Sequence, residues 1–168
     1  MRRKLTFTGI AIFVLTLSLG IAAAEKINFS GAWTMDRGRS MGLPADMNQV
    51  MTITHTGDKI QLETKLITSQ GERTVSDSYT LDGKEAEFTP QSPPGAPVPK
   101  GKRTANWLPR GNGILVNEET ITETPNGQVK NQLARKWILS PDGTTLTIDL
   151  YFDGPNGSFE TKRIFVKK

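Results

Sequence analysis

Polar side chains fall in phase with apolar ones along several stretches that otherwise alternate. Asp77 and Tyr79 share a face with Val75 and Leu81, and Glu118 shares one with Ile114 and Val116. Asn131 and Arg135 share another with Val129, Leu133, Trp137 and Leu139. In an extended chain residues i and i+2 point the same way, so these polar groups go wherever their apolar neighbours go. A charge carried into an interior has to be ion-paired, hydrated or put to use. The chemistry on offer is recognition. A guanidinium fork takes two oxygens of a carboxylate or phosphate, which makes Arg135 the candidate handle for an anionic head group, with Tyr79, Asp77, Glu118 and Asn131 around it. Two other arrangements stay open at this point: Arg135 can pair internally with Glu118 or Asp77, or a bulge can turn the face outward.

Catalytic patterns are wanting. The single histidine, His55, has no evident partner, and the chain has no cysteine, which removes thiol catalysis, thiolate metal sites and disulfides together. There is no His-Glu-x-x-His, Gly-x-Ser-x-Gly or Walker-type loop. "RGNGIL" at Arg110–Leu115 reads as a hairpin, and Asp153, Asn156 and Glu160 lack the spacing of a calcium loop. We expect no enzyme, no metal and no cofactor, and a small lipophilic or anionic molecule as the ligand.

The elements that must position these residues are strands. Gly57-Asp58, Asp82-Gly83, Asn112-Gly113, Asn126-Gly127, Asp142-Gly143 and Asn156-Gly157 mark turns. Asn-Gly and Asp-Gly pairs suit the twist of antiparallel hairpins. Between them "TLTIDLYF" sets Leu146, Ile148, Leu150 and Phe152 on one face, and "IQLETKL" does the same with Ile60, Leu62 and Leu66. The pattern predicts ten strands, near 32–36, 48–56, 59–68, 72–81, 84–89, 102–108, 113–122, 128–139, 144–152 and 157–166, with at most one helical turn near Leu43 to Gln49. Even spacing and short turns predict an all-β antiparallel meander closing into a single 8–10-stranded barrel, since closure removes the exposed edges of so wide a sheet. "FTPQSPPGAPVPKGK", Phe88 to Lys102, breaks the rhythm. Its prolines cannot donate to a ladder, so residues 90–101 are expected to form an exposed connector, with a lid or a docking segment as the functional alternatives.

The chain opens with Arg2, Arg3 and Lys4, continues with an apolar run from Leu5 to Ile21 and ends that run in Ala22-Ala23-Ala24. This is the layout of a secretory signal peptide. Cleavage after Ala24 would leave a domain of residues 25–168, periplasmic or secreted, with no stable membrane anchor. The formal net charge of +4 falls close to neutral once the three cations of the leader are removed. No clustered basic face remains, and nucleic acid is not an expected partner.

The first strand begins "FSGAWTMD", with Gly31 and Trp33 as a Gly-x-Trp. This resembles the lipocalins and the wider calycin group, whose first strand carries Gly-x-Trp and in which an Arg from a late strand packs across the Trp. The resemblance implies that Trp33 plugs the narrow end of a lipocalin-like barrel, that Gly31 bends the chain into it and that Arg163 of "TKRIFVKK" covers the indole. The opening is also similar to that of exported bacterial proteins of lipocalin-like type, a family resemblance that implies no biochemical role. The expected function is binding of a small hydrophobic or amphipathic ligand in the barrel. The alternative is a solid barrel acting through its surface or its proline-rich loop, as an inhibitor would.

Overall fold

The computed structural model describes residues 27–90, 92, 96–125 and 127–168; the leader expected over 1–24 and Asn126 of the expected Asn-Gly turn lie outside them. Ten strands follow in order: β1 (Gly31–Met35), β2 (Asn48–Thr56), β3 (Lys59–Thr68), β4 (Gly71–Thr80), β5 (Ala86–Phe88), β6 (Lys100–Trp107), β7 (Gly113–Thr124), β8 (Gly127–Leu139), β9 (Thr145–Gly154) and β10 (Gly157–Lys167). They form one antiparallel sheet in the order β4-β3-β2-β1-β10-β9-β8-β7-β6-β5. No helix occurs among the described residues, and the expected turn after Leu43 is a single loop closed by Met47 N–H donating to the Pro44 carbonyl, 3.2 Å. The meander is the expected one because each hairpin is a local event: two alternating runs joined by a short turn.

Every strand pairs with its sequence neighbour except across one seam. β4 pairs only with β3, and β5 only with β6. The reason lies in the chain between them. β5 is three residues long, and the prolines from Pro90 onward leave too few N–H donors to extend it along the ten residues of β4. At the narrow end the seam is stitched by the Asp82↔Asn106 bridge and by Gly83 N–H to the Ala105 carbonyl, 3.0 Å. The sheet is therefore curled into a barrel whose wall is laddered everywhere but here. Asn112-Gly113 also departs from expectation: Gly111 takes the left-handed conformation, φ +68°, and Gly113 opens β7.

The narrow end is the core. Phe29, carried on the segment before β1, crosses beneath the barrel and is fully buried with Trp33, Ile60, Ile114, Leu146 and Phe165. The Phe29 ring meets Trp137 edge-on at 5.9 Å and lies 5.6 Å from His55. Such pairs add about 0.5–1.5 kcal/mol to the burial of the rings. His55 is structural: its Nδ1 accepts from Phe29 N–H, 3.3 Å, and its Nε2 lies 3.0 Å from the Gly57 carbonyl, which makes Nε2 the protonated nitrogen.

Trp33 of the Gly-x-Trp lies in this core. It is fully buried, and its Nε1–H donates to the Phe29 carbonyl, 3.0 Å. Arg163 does not cover it. The β1–β10 register sets Trp33 opposite Lys167, four residues further along β10, and the Lys167 ammonium sits 5.3 Å from the indole centroid. β1 ends at Met35, opposite Phe165, so Arg163 falls beyond it. Gly31 enters β1 with φ +143°, and a Cβ there would stand 2.7 Å from Lys167 Cε. The glycine thus makes room for the cation that lies on the Trp. Lys167→Ala is expected to lower stability by less than about 1 kcal/mol, the scale of an exposed cation–π contact, and to shift the tryptophan emission. A larger loss in a urea melt would give Lys167 a role beyond this ring.

Candidate functional site

Above the aromatic plug the inner face turns polar. Glu118 on β7 stands directly opposite Arg103 on β6 and diagonal to Arg135, whose register partner is Val116. Glu118 uses this position to bridge both: its Oε2 accepts from Arg135 Nη2 at 2.6 Å, and its Oε1 lies 3.1 Å from Arg103 Nη2. Arg135 Nη1 donates to the Tyr79 hydroxyl, 2.7 Å. Arg103 Nη1 then reaches across the seam to Asp77 Oδ1, 2.9 Å, and to the Ser78 carbonyl, 3.0 Å. Its guanidinium is covered by Phe88, 3.7 Å from the ring centroid, and flanked by Tyr79 at 5.1 Å. Phe88 can fold that closely because its register partner is Gly101, where a Cβ would lie 2.6 Å from the ring. Where the ladder fails, the barrel is closed by a side-chain latch.

The structure thus gathers Asp77, Tyr79, Glu118 and Arg135 and leaves out Asn131, which lies further toward the wide end beside Gly154. Of the arrangements open at the sequence level, internal pairing of Arg135 with Glu118 is the one adopted. Arg103 is the member that sequence reasoning missed. It is in phase with Ala105 and Trp107, but the run is short, and the residue reads as part of the basic "PKGKR". Burial raises the pKa of the Glu118 carboxyl, while Arg135 and Arg103 pull it down. Burial also raises the Tyr79 phenol well above its ordinary value, so it stays protonated.

Arg163 sits on the same inner face, on β10, between Thr161 and Phe165. It has no carboxylate partner among the described residues; its one hydrogen bond runs from Nη1 to Gln49 Oε1, 3.3 Å. Its Nε is buried and makes no hydrogen bond, and neither does the buried Thr161 Oγ1. Burial, and then the neighbouring charge of Arg135, lower the Arg163 pKa. Among the described residues the polar layer therefore holds three guanidiniums, Arg103, Arg135 and Arg163, against the two carboxylates Asp77 and Glu118.

Toward the wide end the inner positions become apolar again without being fully buried. Leu66, Val75, Val129, Leu133 and Phe152 are half-buried, and Phe159, stacked on Phe152 at 4.9 Å, is 53% exposed. An exposed phenylalanine on the concave side of a sheet is apolar surface that no other described residue covers. The arrangement is a packed floor, a polar layer with one surplus cation and an unfilled apolar wall above.

No model of a known family matches the chain, and no curated protein matches it. Among solved structures it is similar to the zebrafish ileal bile acid-binding protein complexed with cholic acid, with a TM-score of 0.50 at 16% identity over 83% of this chain and 98% of the other. It is also similar to secretory abundant heat soluble protein 4 from Ramazzottius varieornatus, with a TM-score of 0.49 at 13% identity over 83% and 94%. At such identities the first likeness establishes fold alone. The chain shares with that protein the fold of an antiparallel β-sheet curled into a barrel.

Proposed function

We propose that the protein binds a small amphipathic anion in the wide half of the barrel, its apolar part against Leu133, Phe152 and Phe159 and its charged end at Arg163. The observation that carries this is the Arg163 guanidinium, half-buried, without a carboxylate partner among the described residues and beside a second arginine. A cation held at a cost in an interior recovers free energy when an anion reaches it. Thr161 Oγ1, which makes no hydrogen bond among the described residues, supplies a second polar contact at the same level. Arg135, the handle suggested by sequence, has both terminal nitrogens engaged by Tyr79 and Glu118 and acts instead to hold the polar layer. The cholic acid carried by the zebrafish protein belongs to the same ligand class: an amphipathic body with one carboxylate. The leader-like residues 1–24 support a periplasmic or secreted setting, where such a protein would capture its ligand outside the cytoplasm.

The test compares an anion with its neutral ester. Cholate and dodecanoate should bind about 10-fold or more tighter than their methyl esters, the scale of one charge-assisted hydrogen bond. Arg163→Met should abolish that preference and leave ester binding unchanged by calorimetry. Equal loss for acid and ester, or no heat from either up to solubility, would remove Arg163 as the handle.

A further inference from the structure

We propose that the seam between β4 and β5 accepts an extended, basic segment of a partner protein as an added strand. The observation is a groove of about 930 Å³ over this seam, lined by Ser76, Ser78 and Thr80 of β4, by Glu85, Glu87 and Phe88 around β5, and by the outer face of β3. Two sheet edges face each other across it, and neither is laddered to the other.

The direction of the β4 backbone follows from two hydrogen bonds. Leu81 N–H turns toward β3, donating to the Asp58 carbonyl at 2.7 Å. The Ser78 carbonyl turns the other way, to Arg103 across the seam. Backbone groups alternate sides along a strand, so those of Ser76 face the groove with Ser78, and those of Thr74 turn to the same side of β4. Their side chains are small hydroxyls or methyl-bearing hydroxyls on the outer face, which leave an approaching backbone room. An occupant strand would find the backbone groups of Thr74 and Ser76 already aligned, and would share the Ser78 carbonyl with Arg103, the arrangement that strand addition needs.

The charge of the groove selects the occupant. Glu63, Asp82 and Glu87 line it and form no ion pair among the described residues, while Glu85 is held by Lys102 and Asp77 by Arg103. The remaining cation of the lining is Lys84. On an added strand every second side chain points outward, so a segment with Lys or Arg at alternate positions would set its charges over these carboxylates. Its inward positions would pass Arg103 and Phe88, where small uncharged residues fit. The chain's own stretch 89–99 is a poor occupant, because its prolines lack the N–H groups that the edge would receive.

The probe is the acetylated, amidated peptide Lys-Ser-Lys-Ser-Lys-Ser-Lys with a fluorescent label, read by anisotropy on the full chain. It should bind saturably at moderate salt and slow amide exchange of Thr74, Ser76 and Ser78 by about 10-fold. Alternate N-methylation should abolish binding, and Glu63→Lys with Glu87→Lys should weaken it by about 10-fold or more. Those positions are exposed, so the double variant should keep the wild-type melting curve. Equal binding of the N-methylated peptide would show charge attraction without strand addition and overturn the proposal. Absence of binding would do the same. Protection of the same amides by a concentration-dependent dimer would replace the peptide by a second copy and equally overturn it.

Discussion

Glu118→Ala is expected to lower the stability of the folded domain by about 3–5 kcal/mol in a urea melt, the scale for removing one partner of a buried ion pair. The magnitude follows from what the carboxylate holds. It is buried, it bridges Arg103 and Arg135, and its loss leaves these two guanidiniums and Arg163 with only Asp77, itself on the seam, to oppose them among the described residues. Domains of this size have about 5–15 kcal/mol in all, so such a loss brings the protein near its threshold. The latch should loosen with it, because Arg103 is placed by Glu118 on one side and spans to β4 on the other. A paired replacement separates charge from packing. Glu118→Leu with Arg135→Met exchanges an ion pair for apolar groups of similar size, a change that is often neutral or stabilising when the pair is buried, and it should recover most of the loss. A cost below about 1 kcal/mol for Glu118→Ala would mean that water reaches both guanidiniums and that the polar layer is not an interior feature.

Trp33→Ala should cost about 3–5 kcal/mol, with Trp33→Phe well below that, the usual span for truncating a large aromatic in a packed core. Trp33 is fully buried, and its indole also satisfies the Phe29 carbonyl. The alanine variant therefore opens a cavity and orphans an acceptor in the same step. Phenylalanine keeps most of the volume and loses only the hydrogen bond. Tyr151→Ala, on the outer face at 44% exposure, supplies the contrast and should stay within about 0.5 kcal/mol of the wild type. If Trp33→Ala fell within that same narrow range, the plug would lie elsewhere, in Phe29 and Trp137, and the Gly-x-Trp likeness would lose its physical meaning here.

The ten strands and the residues of their inner faces were legible from sequence alone, because both depend on local events. Alternation at period two sorts side chains to two faces, and a short turn brings each run back against the one before it. That is why Asp77, Tyr79, Glu118, Asn131 and Arg135 could be grouped from sequence as candidates for the concave side, with a bulge that turns the face outward still open. What alternation does not contain is register between strands remote in sequence. β1 and β10 are joined by no hairpin, so whether Arg163 or Lys167 faces Trp33 is settled by how the whole meander closes. The structure selects Lys167. That choice frees Arg163 for the polar layer, where its lack of a carboxylate becomes the basis for a ligand.

The seam was decided by tertiary structure in the same way. The prolines after Phe88 were visible in the sequence, but the strand before them was expected over 84–89 and forms only over Ala86–Phe88. Their consequence, a wall held by Arg103 reaching to Asp77 and Ser78 across a missing ladder, depends on two strands that meet only when the sheet has curled. Local chemistry determines which side of a strand a residue occupies. Only closure of the barrel determines what stands across from it.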